Sequence, residues 1–69
     1  MAKERVKLKV YDLTGRVVRT LVDNVQEPAY YNIRWDGRDD KGKRLASGIY
    51  FYRIEVGRFK STKKMVILR

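Results

Sequence analysis

The stretch IYFYRIEV, residues 49–56, decides the fold class of this chain. Every second residue, starting at position 50, is aromatic or apolar. These residues, which share one side of an extended chain, are Tyr50, Tyr52, Ile54 and Val56. This period of two, rich in aromatic and β-branched residues, predicts a β-strand. Gly57-Arg58 follows as a two-residue hairpin connection, because a glycine suits the first position of a type II′ turn. We therefore predict a hairpin between residues 49–56 and a last strand over residues 59–69.

The rest of the chain shows the same alternation. Further strands are predicted over residues 3–10, 17–22 and 29–35. Polar residues 36–48 are predicted to be a loop. No window has a sustained helical period, so we expect no helix. About five antiparallel strands at this spacing predict a single all-β domain over residues 1–69, built as a sandwich or small barrel.

A small sandwich needs large apolar side chains between its sheets. We expect Trp35 at the centre of that core, because it shares an alternating face with apolar neighbours. The predicted core residues are Val10, Tyr31, Ile33, Trp35, Tyr50, Tyr52 and Ile54. The predicted turn residues are Gly15, Gly37, Gly42, Gly48 and Gly57.

The composition excludes several classes of function. The chain has 69 residues with no Cys and no His. It therefore has no disulfide, no thiolate or imidazole ligand for zinc, and no imidazole base for Ser-His-Asp catalysis. No phosphate-cradling glycine loop is present, and no apolar run is long enough for membrane insertion. We predict that the protein is not an enzyme and needs no cofactor.

The acidic cluster Asp36, Asp39 and Asp40 is a weak candidate for a metal site. Hard cations prefer several carboxylate and carbonyl oxygens. Aspartates beside glycine and lysine are, however, also usual in turns, where the side chain accepts hydrogen bonds from its own backbone. We favour the turn interpretation, with no metal bound.

Four motifs together resemble one bacterial family. They are VYDLTGRVV at residues 10–18, WDGRDDKG at 35–42, ASGIYFY at 46–52 and KKMVILR at 63–69. The chain resembles the Ig-like domain of the flagellar hook-capping protein and the related C-terminal sorting domains of type IX secretion. The resemblance implies a fibronectin III-like, Ig-like β-sandwich without catalysis or cofactor. It also implies a secreted or cell-surface location in bacteria, within a longer parent, since residues 1–5 do not begin a signal peptide.

The resemblance also predicts how the domain associates. Members of the family begin with a further strand, whereas only residues 1–5 precede Val6 here. We interpret this as a trimmed or engineered start that leaves one position of the sheet open. Unpaired N–H and C=O groups at such an edge are a template for another chain. We therefore expect protein partners, and a homo-oligomer formed by strand pairing or strand exchange.

The net charge of +9 leaves the nature of the partner open. The basic tail, which resembles the end that an export machine reads, is the predicted partner-binding segment and comprises Arg58, Lys60, Lys63, Lys64 and Arg69. The alternative is a polyanion-binding module for nucleic acid or anionic glycan, with Tyr30 and Phe51 interleaved with Arg34 and Arg53. A third hypothesis is an engineered scaffold with no native role.

Overall fold

The computed structural model describes residues 3–26 and 34–68. It contains the strands β1 (Glu4–Tyr11), β2 (Val17–Gln26), β3 (Gly48–Val56) and β4 (Phe59–Ile67). They form one antiparallel sheet in the order β2-β1-β3-β4, so β1 and β3 are central and β2 and β4 are the edges. No helix occurs in these two described ranges. The all-β, antiparallel class predicted from the alternation is confirmed.

The predicted five-stranded sandwich is not confirmed by the described residues. The strands within the described ranges form a single four-stranded sheet, and a five-stranded sandwich is not found there. The predicted strand over residues 29–35 falls largely outside the described residues, and Arg34 and Trp35 are not in a strand. Alternation shows that one face of a strand is buried, but it does not show what covers that face.

Strand β2 is longer than predicted. It continues past Val22 to Gln26, which pairs with Glu4 of β1. Three of the four additional residues are polar, Val25 is exposed, and Asp23 lies opposite Lys7. An edge strand does not need an unbroken apolar alternation, because opposite charges on facing strands also stabilise pairing. The apolar alternation in the sequence therefore ends at Val22, four residues before β2 itself ends.

The register divides the sheet into an apolar face and a basic face. Residues directly opposite each other on paired strands point to the same side. The apolar face carries Val6, Leu8, Val10, Tyr50, Tyr52, Ile54, Val56, Phe59, Met65 and Ile67, together with Ser61 and Lys63 of β4. The basic face carries Arg5, Lys7, Lys9, Tyr11, Ile49, Phe51, Arg53, Glu55, Lys60, Thr62, Lys64 and Val66. The most buried side chains, Val6, Val10 and Tyr50, all lie on the apolar face of the central strands.

Both hairpin turns depend on glycine. Gly57 has φ of 56°, and no non-glycine residue in the described ranges has a positive φ. Arg58 therefore has an ordinary φ, which fits the predicted type II′ turn and excludes type I′. Gly15, with φ of 85°, occupies the β1–β2 turn in the same left-handed region.

The loop over residues 34–47 packs along the outer edge of β2. The N–H of Asp40 donates to the Val18 carbonyl at 2.9 Å, and the N–H of Thr20 donates to Oδ1 of Asp40 at 3.0 Å. Arg19 donates from Nη1 to the carbonyl oxygens of Arg38 and Asp39. These bonds satisfy part of the β2 edge from within the chain.

Candidate functional site

Among the described residues, strand β4 is the open edge of the sheet. Its inner side pairs with β3 from Gly48↔Ile67 to Val56↔Phe59. Within residues 3–26 and 34–68, no backbone hydrogen bond reaches its outer side. The opposite edge, β2, is partly covered by Asp40. A strand that keeps N–H and C=O groups free along one side can accept a further strand.

The predicted basic tail does not form a single surface. Lys60 and Lys64 lie on the basic face, whereas Lys63 lies opposite Tyr52 on the other side of the sheet. Arg58 is exposed in the β3–β4 turn, and Arg69 lies outside the described residues. Lys60 approaches Glu55 at 3.7 Å. The tail therefore places positive charge on both sides of the open edge.

The basic face has an excess of positive charge around its centre. Asp23 on β2 pairs with Arg5 at 2.6 Å, and Glu55 pairs with Lys60. Four further cations of this face form no ion pair with a described residue: Lys7, Lys9, Arg53 and Lys64. Arg53 lies opposite Lys9 of β1 and Thr62 of β4. The face therefore favours an anionic ligand.

A cleft of about 300 Å³ opens at the end of the basic face, beside the β1–β2 turn. Tyr11, Phe51, Arg53 and Thr62 line it from three strands, and Asp12, Leu13 and Gly15 line it from the turn. Tyr11 and Phe51 are direct cross-strand neighbours. Nε of Arg53 is buried and has no hydrogen-bond partner in the described part of the chain. We call this feature the Arg53 cleft.

The turn beside the Arg53 cleft is held by the Asp12 carboxylate. Its Oδ1 accepts hydrogen bonds from the Thr14 N–H at 2.8 Å, the Thr14 hydroxyl at 2.5 Å and the Arg16 N–H at 3.1 Å. The Thr14 hydroxyl, with smaller contributions from these backbone groups and the Arg16 charge, lowers the pKa of Asp12 below its ordinary value. This carboxylate is therefore engaged within its own turn.

Asp12 is expected to make stability depend on pH. Because the folded-state pKa is lowered, the unfolded chain binds the proton first as the pH falls, so the stabilisation is lost below the ordinary value of 3.8. Asp12→Asn keeps one acceptor oxygen but removes the charge. We expect a lower Tm at neutral pH and a smaller fall in Tm between about pH 5 and pH 2. Thermal melts followed by circular dichroism check this.

Asp23→Asn is a second, independent variant for the same pH experiment. The hydrogen bond from Arg5 lowers the pKa of Asp23, so its removal also flattens the acid limb of the Tm curve. The two changes should add, because the carboxylates have different partners. An Asp12→Asn variant that kept the full acid dependence of the parent would contradict the assignment.

The three aspartates proposed as weak metal candidates accept hydrogen bonds from the backbone. Oδ1 of Asp36 accepts from the Arg38 N–H, and Oδ1 of Asp39 accepts from the N–H groups of Lys41 and Lys43. Oδ1 of Asp40 accepts from Thr20. Among the described residues, no group of three potential metal-ligating side chains is present.

The predicted core residues fall into three groups. Val10 is 1% exposed and Tyr50 is 9% exposed, whereas Tyr52 and Ile54 are half-buried. Trp35 is also half-buried and lies in the loop rather than at the centre of a core, with Nε1 donating to the Arg38 carbonyl at 3.0 Å. Tyr31 and Ile33 lie outside the described residues. The predicted turn glycines all have positive φ, at Gly15, Gly37, Gly42, Gly48 and Gly57. The prediction was wrong for the location of Gly48, which is the first residue of β3 and pairs with Ile67 rather than lying in a turn.

The aromatic and basic residues proposed for polyanion binding are only partly together. Phe51 and Arg53 share the basic face, but exposed Arg34 is not in the sheet, and Tyr30 lies outside the described residues. The sequence interpretation missed Tyr11 and Thr62 as members of the same site. The available signal was the alternation of Lys7, Lys9 and Tyr11, which places Tyr11 on the wet side of β1.

Comparison with known proteins identifies the family. The FlgD Ig-like domain family matches residues 2–58. The chain belongs to this family. No curated protein and no solved structure matches the chain.

Membership of the FlgD Ig-like domain family indicates a non-catalytic structural module in a bacterial extracellular or surface-associated protein. The match ends at Arg58, before β4 begins at Phe59. It therefore lends no support to the predicted sorting-type ending over residues 63–69. No helix in the described ranges is long and apolar enough to cross a membrane.

Proposed function

We propose that this FlgD Ig-like domain is an assembly module that binds a protein chain along the open edge of β4. The observation that carries the proposal is the absence of a strand or loop beside β4 in the described residues. An incoming strand would complete the hydrogen bonding of the edge, and side chains on the two faces would provide specificity. The basic tail supplies further contacts in the proposal, as in a C-terminal sorting domain read by an export machine.

The edge is chemically suited to controlled association. Lys60, Lys63 and Lys64 lie along β4, and charged residues on an edge discourage indiscriminate pairing. Phe59 is 61% exposed and Val66 is 57% exposed, so apolar contact area is also available at both ends of the strand. A partner strand with acidic side chains would neutralise the lysines, and apolar side chains would bury these ends.

A second copy of the chain is the partner that we propose first, but its binding depends on salt. In an antiparallel β4–β4 pair centred on Thr62, Lys60 of one copy lies opposite Lys64 of the other. Like charges directly opposite each other destabilise a strand pair. Salt screens that repulsion, because the Debye length falls from about 30 Å at 0.01 M to about 3 Å at 1 M. Self-association should therefore strengthen as salt is raised.

The test is the oligomeric state at two salt concentrations. At high micromolar protein, size-exclusion chromatography with light scattering should give a monomer in about 10 mM salt and a dimer in about 1 M salt. Thr62→Lys adds a charge at the centre of the open edge and should keep the protein monomeric at both concentrations. Asn24→Lys adds the same charge to an exposed site on β2 and should not prevent dimerisation.

Three outcomes would contradict parts of this proposal. A parent protein that stays monomeric at every salt concentration overturns self-association. Equal dimerisation of the Thr62→Lys variant overturns the β4 edge as the interface. Tight binding of single-stranded DNA that weakens steeply with salt would instead favour the polyanion-binding alternative, since counterion release gives such a slope.

A further inference from the structure

We propose that the Arg53 cleft binds a carboxylate group attached to an aromatic or aliphatic group. The cleft lies on the basic face, beside the β1–β2 turn. Of its lining residues only Thr62 belongs to β4, and the proposed pairing uses the backbone of that strand. Its ligand is identified by chemistry alone, as an anion of planar, two-oxygen geometry with an apolar substituent. The proposal therefore stands or fails separately from the assembly function.

The first support is the hydrogen-bonding state of Arg53. Its Nε is buried without an acceptor among the described residues. Neither of its cross-strand neighbours, Lys9 and Thr62, is an acid. A buried donor without a partner is unfavourable, and Arg53 lines the cleft, so a small movement of its side chain that brings Nε–Hε to a ligand oxygen would restore the lost hydrogen bond. The guanidinium edge presents donors in a fork whose geometry matches the two oxygens of a carboxylate.

The second support is the charge around the cleft. Lys64 lies opposite Phe51, and Lys9 lies opposite Arg53, so cations flank the cleft on β4 and β1. The one acid that lines it is Asp12, whose carboxylate accepts the hydrogen bonds of its own turn. Lys9, Arg53 and Lys64 therefore form no ion pair with a described residue, and an external anion is favoured.

The third support is the apolar wall. Tyr11 and Phe51 lie side by side on adjacent strands, and Leu13 at the turn is 68% exposed. A volume of about 300 Å³ is at the small end of ligand sites, which suits one ring or a short aliphatic chain. Both parts of the ligand are therefore specified, with the carboxylate at Arg53 and the apolar group against the aromatic pair.

The same geometry argues against a nucleic-acid strand as the main ligand. Single-stranded nucleic acid is bound by successive stacking aromatics along a basic groove. On the described basic face, the aromatic side chains are the adjacent pair Tyr11 and Phe51, which belong to one cleft. This arrangement accommodates one apolar group rather than a series of bases.

The experiment is an NMR titration of the full chain that observes the Nε–Hε signal of Arg53. Phenylacetate should shift this signal and the ring signals of Tyr11 and Phe51 in a saturable manner. Phenylacetamide has the same shape without the charge, and inorganic phosphate has charge without the ring. Both should bind at least about tenfold more weakly, since each lacks one of the two matched parts.

Variants and peptides complete the test. Arg53→Lys keeps the charge but loses the fork, and should weaken phenylacetate binding about tenfold. Arg5→Lys is the matched control, because Arg5 lies on the same face but is paired with Asp23 outside the cleft. N-acetylphenylalanine and N-acetyl-Phe-Asp-amide distinguish a chain-terminal carboxylate from an acidic side chain as the natural source.

The following results would overturn the proposal. Equal binding of phenylacetamide would show that the carboxylate is not recognised, and unchanged Arg53 signals at saturating phenylacetate would show that the cleft is not the site. An oligonucleotide that bound more tightly and shifted signals across the whole basic face would assign the face to nucleic acid instead. The spectrum of each variant also reports whether it is folded.

Discussion

Val10→Asp is expected to unfold the domain at room temperature. Val10 is 1% exposed on the central strand β1, where Tyr52 lies opposite it on β3. Burying an unpaired carboxylate costs several kcal/mol or raises its pKa until it is neutral, and a neutral acid still lacks a partner there. A domain of 69 residues has a total stability of about 3–10 kcal/mol. The single change is therefore comparable to the whole free energy of unfolding.

The basic neighbour of Val10 does not rescue this variant. Arg19 lies opposite Val10 on β2, but its Nη1 already donates to the carbonyl oxygens of Arg38 and Asp39. Moving it would leave those carbonyls without this donor. Pairing with the new aspartate would therefore disrupt the loop that covers the β2 edge.

The measurement is urea unfolding followed by circular dichroism, with Val25→Asp as the matched control. Val25 is 56% exposed and lies opposite Arg5 on the basic face, so its replacement should change stability by less than about 0.5 kcal/mol. If Val10→Asp retained a cooperative transition near that of the control, the core would not be centred on the apolar face of β1.

The strands that were predictable from sequence are those whose signals are local. The alternation of residues 49–56 and the glycine at position 57 specify a strand and its turn without any knowledge of the partner. The end of β2 was not predictable in this way, because Asp23 is stabilised by its ion pair with Arg5 on another strand rather than by burial. Pairing across strands carries information that a single alternating segment does not contain.

The candidate sites also depend on pairing between strands, which the sequence of one segment does not reveal. Phe51 and Arg53 were recognisable as an aromatic and basic pair, but the Arg53 cleft also requires Tyr11 and Thr62. Those residues reach the site through the β1–β3 and β3–β4 registers, which are long-range features of the sheet. Likewise, the position of Trp35 depends on its hydrogen bond to the Arg38 carbonyl, which its alternating neighbours did not indicate.

The strand registers show that the positive charges have two different roles. Of the total of +9, the lysines of β4 restrict pairing at the open edge, whereas Arg53 lines a cleft and Lys9 lies opposite it on β1. The first effect is general and weakens with salt, because it acts between exposed charges. The second depends on the geometry of one guanidinium. Composition alone does not distinguish these two effects, whereas the salt experiment and the Arg53→Lys variant do.

Tyr50→Ala is the second change expected to have a large effect, because Tyr50 joins the loop to the sheet. Its ring is 9% exposed on the central strand β3, and its hydroxyl donates to the Ala46 carbonyl at 2.8 Å. Removing a buried aromatic ring costs about 3–5 kcal/mol. The hydrogen bond to the segment before β3 is lost at the same time. We expect a domain that is largely unfolded or on the edge of unfolding.

Tyr50→Phe separates the two contributions of this side chain. It keeps the ring and removes the hydroxyl, so the expected loss is about 1 kcal/mol, the usual contribution of one hydrogen bond. Trp35 is the single tryptophan, so its fluorescence reports the loop over residues 34–47, while circular dichroism reports the sheet. The two signals should be lost together in Tyr50→Ala, because the ring anchors both. A Tyr50→Ala variant that melted within a few degrees of Tyr50→Phe would show that the ring adds little, and that the hydroxyl carries the connection.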